Sequence, residues 1–216
     1  MRHRKLRRAV VDTCRAMNAS GLNQGTSGNV SARAGDGFLI TPSGIPYEDT
    51  KPGMLVAMDL DGGHEGTLKP SSEWRMHRDL YRARPDVGAV VHTHSTHATA
   101  YSCLRKPIPA FHYMIAVAGG RDLRCADYAT FGTAELSEAM LVAMEGRTAC
   151  LLANHGVIAV GATLAQALWR AHEVETLAAQ YAVARQMGKP VILPDDEMDR
   201  VLTLFGSYGN RAARTG

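Results

Sequence analysis

With 216 residues, a formal net charge of +3 and 45% hydrophobic residues, the chain is long enough for one well-buried domain. The charge suits an anionic metabolite and is too small to argue for nucleic acid, and no apolar stretch reaches membrane-spanning length or forms a signal-peptide core. The cysteines, Cys14, Cys103, Cys125 and Cys150, form no CxxC pair, which argues against a disulfide framework and for a reducing cytoplasm with buried thiols.

In chain order, a first amphipathic helix is predicted from about Arg4 to Ala19, stopping at Gly21, with the basic run Met1 to Arg8 as its polar face. After a Gly-rich turn, Gly25 to Gly28, two short strands follow around Val30 to Arg33 and Phe38 to Thr41. The Gly35-Asp36-Gly37 turn signal joins them. Pro42-Ser43-Gly44 makes another turn, and Met54 to Asp59 reads as a strand closed by Asp61-Gly62-Gly63. Pro70-Ser71-Ser72-Glu73 resembles a helix start with a Ser N-cap and an acid in the first turn, the helix running to about Arg84 before Pro85. Val87 to His94 is a Val-rich strand, Ala134 to Glu145 a helix and Thr148 to Ala153 a buried strand. Asn154-His155-Gly156 breaks that strand and Val157 to Val160 resumes it. Helices are predicted over Thr163 to Met187 and Asp195 to Phe205. No linker or charge run divides the chain, so one α/β layered domain over 1–216 is expected, with a mixed or antiparallel sheet.

The strongest local signal is Val90-Val91-His92-Thr93-His94. Alternate residues of a strand share a face, so His92 and His94 project together and make half of a zinc site. A pair of surface or core histidines is the alternative. His155 is delivered to a tight turn that Gly156 permits, where the commoner fate of a lone histidine is a bond to backbone. Glu73 is the carboxylate to place beside three imidazoles. It completes a tetrahedron, leaves when substrate arrives, and then serves as a base. Its other reading is a first-turn acid complementing the helix dipole. His77, His172, His64, His3, His97 and His112 have no ligand spacing.

Gly28-Asn29, Ser43-Gly44 and Ser71-Ser72 offer backbone N–H groups and small donors to an anion, the last pair at a helix start. Each is also an ordinary turn. No GxGxxG or GxxxxGK[ST] supports a nucleotide. The five lysines, Lys5, Lys51, Lys69, Lys106 and Lys189, all lack the apolar setting of a Schiff-base amine, so carbanion stabilisation falls to a metal.

Four segments, Leu39 to Tyr47, Pro70 to Arg75, His112 to Ala116 and Tyr128 to Thr133, together with Gly28 to Ser31, Asn154 to Gly156 and Leu168 to Glu175, give the chain a wider resemblance. It resembles the class II aldolase/adducin family, within it the bacterial branch acting on L-fuculose 1-phosphate. The resemblance implies a single three-layer αβα domain with a mixed, largely antiparallel central sheet. It also implies a homotetramer with active sites at subunit interfaces, and one Zn²⁺ per subunit on Glu73, His92, His94 and His155. It places the substrate phosphate on Gly28, Asn29, Ser43, Gly44, Ser71 and Ser72, Ser43 standing where close relatives usually carry Thr. It makes Glu73 and Tyr113 the catalytic pair, Tyr113 crossing the interface, although a packed aromatic is the plain reading of Tyr113. Tyr208 is similar in place to a C-terminal family tyrosine. The reaction implied is reversible cleavage of a ketose 1-phosphate to dihydroxyacetone phosphate and a short aldehyde such as L-lactaldehyde. The alternatives are an aldolase for 5-deoxyribulose or 5-methylthioribulose 1-phosphate, a pentulose-phosphate 4-epimerase, a dehydratase, an adducin-like interaction domain, and a structural zinc domain. The epimerases tend to carry Asp at the place of Glu73, and the adducin heads lack the three histidines.

Overall fold

A computed structural model describes residues 2–208. The strands are β1 (Asn29–Ala34), β2 (Gly37–Ile40), β3 (Val56–Met58), β4 (Ala89–Thr93), β5 (Cys125–Ala126), β6 (Ala149–Leu152) and β7 (Gly156–Gly161). The helices are α1 (Arg4–Ala19), α2 (Trp74–Ala83), α3 (Thr96–Ser102), α4 (Ala134–Ala143), α5 (Leu164–Met187) and α6 (Asp195–Tyr208), with 3-10 turns at Pro52–Met54 and Tyr113–Ala118. One sheet runs β3-β2-β1-β4-β7-β6-β5. Its neighbours are antiparallel except β5 and β6, which are parallel.

Alternation along the strands builds two cores. Ala89, Val91, Leu151, Val157 and Ala159 face a layer containing α1 and α5. Val90, Cys150, Leu152, Ile158 and Val160 face Met76 and Leu80 of α2 and Leu136 and Met140 of α4. This is the expected three-layer αβα arrangement with a mixed, largely antiparallel sheet. In the β1–β2 hairpin Ala34 pairs Gly37, leaving Gly35-Asp36 as a two-residue loop with Gly35 at φ +61.

Several expectations need correction. α2 begins at Trp74, and Glu73 is its N-cap rather than a first-turn residue behind a Ser cap. The chain does not resume the β6 strand after His155. It reverses, and Leu152 pairs Gly156 in an antiparallel hairpin. The third strand is shorter than predicted because Pro52–Met54 forms a 3-10 turn. α3 was not predicted, and its N-cap Ser95, although a capping residue type, makes no side-chain cap bond. The cap comes from α5 instead. Glu175 accepts the N–H groups of His97 and Ala98, both at 2.9 Å, and approaches His97 Nδ1 at 2.8 Å. The basic first helix is not wholly a polar face, for Arg7 turns inward and donates to Leu55 O at 2.6 Å. Cys14 and Cys150 are buried as expected, whereas Cys103 is exposed at the end of α3.

Candidate metal centre and cleft

The start of β1, the end of β4, the β6–β7 turn and the start of α2 meet at one end of the sheet. The pairings Asn29 with His92, Thr93 with Val157 and Leu152 with Gly156 place them there. His92, fully buried, has Nδ1 2.9 Å from Val157 O, a distance at which Nδ1–H donates and Nε2 keeps its lone pair. His94 stands one residue past β4, its backbone N–H donating to Asn23 Oδ1 at 3.1 Å. His155 is set by the reversal, in which Asn154 takes the left-handed conformation at φ 52. The positive φ therefore falls on Asn154 and not on Gly156, as the sequence had suggested. Gly156 is needed for another reason. A Cβ there would lie 2.4 Å from Thr93 O and 3.0 Å from the His94 ring.

The three imidazoles form a triangle, with ring centroids 4.9 to 5.0 Å apart. His92 Nε2 lies 3.1 Å from His94 Nε2 and 3.2 Å from Glu73 Oε2, and His155 Nε2 lies 2.8 Å from Glu73 Oε1. All four ligand atoms fall within 4.8 Å of one another. Glu73 Oε1 is buried and receives no hydrogen bond of proper geometry. Burial alone would raise the Glu73 carboxyl, but the charges of His92 and His155 hold it far below the usual carboxylate range. Burial, then the charges of His92 and His155, push His94 down to about 4. Three imidazole lone pairs and an orphaned carboxylate oxygen aimed at one point are the donor set of a tetrahedral divalent site, and the residues fit such an ion.

The site opens into a cleft of about 370 Å³ lined by all six residues expected to hold an anion: Gly28, Asn29, Ser43, Gly44, Ser71 and Ser72. Gly28 is required twice over, by φ +68 and because a Cβ would meet His92 O at 2.5 Å. Not every backbone donor is free, as the sequence reading supposed. The N–H of Ser43 is taken by Lys69 O and that of Ser71 by Thr41 O. Asn29 is 2% exposed, and its Nδ2 donates to Glu73 Oε2 at 2.9 Å. Tyr113 is half exposed, stacks on His112 with centroids 4.8 Å apart, and does not line the cleft. The side chain of Tyr208 lies outside the described residues.

Sequence reasoning missed the residues that brace the site. Tyr47 donates to Gly28 O at 2.8 Å, and Arg105 donates to Asn154 Oδ1 at 2.6 Å. It also assigned no role to Tyr128 and Phe131, which border the cleft. None carries a motif. Tyr47, Tyr128 and Phe131 were visible only as members of the segments that carried the family resemblance. All five lysines are exposed, as expected.

Comparison with known proteins gives the family described as Class II Aldolase and Adducin N-terminal domain over residues 8–182. The chain is 57% identical over 207 residues to the 5-methylthioribulose-1-phosphate/5-deoxyribulose-1-phosphate aldolase of Rhodospirillum rubrum, covering 96% of this chain and 94% of that one. It is 52% identical over 212 residues to the L-fuculose phosphate aldolase of Escherichia coli K12, covering 98% and 99%. A solved L-fuculose 1-phosphate aldolase superposes with a TM-score of 0.92 at 43% identity, covering 95% of this chain and 98% of the other.

Proposed function

Because this chain belongs to the class II aldolase and adducin family, and is a lyase of the aldolase type, we propose that it cleaves a ketose 1-phosphate to dihydroxyacetone phosphate and a short aldehyde. An L-fuculose 1-phosphate type of substrate, giving L-lactaldehyde, is the first choice. The observation that carries the reading is the Glu73, His92, His94 and His155 cluster at the floor of a donor-lined cleft.

Zn²⁺, one per subunit, is the ion proposed for that cluster, and when bound it supplies Lewis acidity at the ketone end of the substrate. Gly28, Asn29, Ser43, Gly44, Ser71 and Ser72 hold the phosphate, Asn29 through the amide hydrogen not given to Glu73. Glu73 moves the proton at the carbon that becomes the hydroxymethyl carbon of the released ketone. The same histidines that surround it keep it ionised, and its Oε1, 2.8 Å from His155 Nε2, receives no hydrogen bond of proper geometry. Tyr113 exchanges a proton with the oxygen of the aldehyde fragment. Its half-exposed ring lies outside the cleft of its own chain, so it acts from a neighbouring subunit. In this reading the sites lie between subunits of a homotetramer. The exposed Tyr128 and Phe131 at the cleft border suit such an interface. The whole chain, 1–216, is taken as one domain acting in the cytoplasm; among the described residues no helix is long and apolar enough to cross a membrane.

A second reading is favoured by the 57% identity to the Rhodospirillum rubrum relative. In it the substrate is 5-methylthioribulose or 5-deoxyribulose 1-phosphate. Both readings share the phosphate, the ion and the proton transfers, and they differ only in the aldehyde. A cleavage screen of the three ketose phosphates with product identification separates them. Failure to release dihydroxyacetone phosphate from any of the three would overturn both.

A further inference from the structure

Behind Glu73 runs a buried polar seam that sequence reasoning passed over. Glu73, His77 and Tyr81 lie four residues apart on one stripe of α2 and its cap, and Asn29, Ser31 and Arg33 lie on one face of β1. Four helical residues rise about 6 Å and two strand residues about 6.6 Å, so the two rows stay in step. They interlock alternately. Asn29 Nδ2 lies 2.9 Å from Glu73 Oε2, Asn29 Oδ1 meets His77 Nε2, His77 Nδ1 lies 2.6 Å from Ser31 Oγ, and Ser31 Oγ lies 2.7 Å from Tyr81 Oη. The Arg33 guanidinium covers the Tyr81 ring at 4.9 Å and donates to Tyr81 O at 2.9 Å.

The carboxylate fixes the sense of every bond. An ionised Glu73 only accepts, so Asn29 must turn its amide nitrogen toward it. Asn29 Oδ1 then has to accept, and His77 carries its proton on Nε2. Nδ1 is left as a lone pair that accepts a hydrogen bond from the Ser31 hydroxyl, and Ser31 accepts from Tyr81. Asn29, Ser31, His77 and Tyr81 are each at most 2% exposed. Burial, then the charge of His92, push the His77 ring down to about 3, so it stays neutral and its tautomer holds. An amide cannot pass a proton along, so the seam orients rather than conducts. We propose that His77, locked by Ser31 and Tyr81, is a positioning residue that works through Asn29 to keep Glu73 Oε2 occupied and Oε1 as the basic oxygen presented to substrate. The proposal rests on the reading in which Glu73 moves the substrate proton. A polar row in a core otherwise made of Phe38, Ile40, Met76 and Leu80 is costly unless every member is satisfied, and this one ends on the reactive carboxylate.

The test compares His77→Leu, which breaks the seam, with His77→Gln, whose amide N–H stands where Nε2–H stood. In metal-loaded enzyme in D₂O, exchange of the hydroxymethyl C–H of dihydroxyacetone phosphate should fall about 10–100-fold in His77→Leu, the scale of outer-shell losses. His77→Gln should recover most of the rate. Independently of activity, ¹⁵N spectra of the metal-free protein should show His77 as the Nε2–H tautomer with a slowly exchanging ring proton. An Nδ1–H tautomer, or His77→Leu losing thermal stability alone while exchange per metal-loaded enzyme is intact, overturns the proposal. Glu73→Gln separates the two levels. If that variant keeps its metal and still exchanges, the proton role of Glu73 has failed. If it stops exchanging while His77→Leu does not, only the seam has failed. Should His77→Leu not fold, the tautomer decides alone.

Discussion

His92 and Val157 are joined across β4 and β7 by an Nδ1 to carbonyl contact of 2.9 Å, and that contact decides which ring nitrogen faces Glu73. A backbone carbonyl cannot be protonated or moved by a side-chain change, so the tautomer of the buried histidine is built into the sheet.

The first prediction concerns the ion. Dialysis against a chelator should abolish cleavage, and Zn²⁺ should restore it. Borohydride added with substrate should leave no adduct on Lys5, Lys51, Lys69, Lys106 or Lys189, all of which are exposed. A lysine adduct, or full activity in excess chelator, would remove the metal from the mechanism.

Phosphate recognition can be read in the synthetic direction. Replacing dihydroxyacetone phosphate by dihydroxyacetone leaves the donors of Ser71, Ser72 and Gly44 without a charged partner. Charge-assisted bonds are each worth about 1.5–3 kcal/mol, so kcat/KM should drop on the order of a hundredfold or more. Equal use of the two ketones would mean that the cleft is not an anion site.

Glu73 and Tyr113 should separate in their proton transfers. Exchange of a hydroxymethyl C–H of dihydroxyacetone phosphate in D₂O needs no aldehyde. Glu73→Gln, with metal content measured beside it, should therefore lose exchange and bond formation together. Tyr113→Phe should keep exchange and lose aldol formation. General acid–base contributions of about 10²–10⁴-fold set the size of both losses. The reverse pattern means that the two roles have been exchanged.

Gly156→Ala tests the close approach under the metal site. The new methyl would sit 2.4 Å from Thr93 O and 3.0 Å from the His94 ring. Backbone must shift to admit it, at a cost of about 1–3 kcal/mol in stability, and His94 should be displaced from the triangle. Zinc titration against a competing chelator should show weakened binding; unaltered affinity and melting temperature would show that the β6–β7 turn has slack.

His77 also predicts how the metal-free protein responds to acid. Its folded pKa, about 3, lies below the ordinary 6.5 because burial penalises the charged ring. Below pH 6.5 the unfolded chain takes up a proton that the folded chain refuses, so this contribution to stability is complete above pH 6.5 and is lost as pH falls toward 3. Its slope approaches about 1.4 kcal/mol per pH unit. Urea unfolding from pH 7 to 4 should show a shallower slope in His77→Gln than in the unsubstituted protein. Parallel slopes would mean that His77 is protonated in the fold.

Much of this was legible in the chain. The alternation of Val90, His92 and their neighbours gives strands with two faces, and His92-Thr93-His94 on a strand end already implies convergent imidazoles. Spacing could not bring Glu73, 19 positions before His92, to the same point. The family resemblance did more there than any pattern. It could not say that Glu73 would be the N-cap of α2 rather than part of its first turn, because that choice is set by Asn29 and the histidines across the site.

What the sequence determined by itself is local: periodicity, turn glycines, the absence of a buried lysine, and the residue types that bind a divalent ion. What the tertiary structure decided is every feature whose partner is remote. α3 gets no cap bond from its own Ser95 and takes one from Glu175. The turn at His155 puts its strain on Asn154 and its need for space on Gly156, because only the packed β4 strand shows what a methyl would strike. His77 reads in sequence as one more helical histidine. It becomes part of a row only when α2 lies on β1, where two different repeats happen to rise by nearly the same distance.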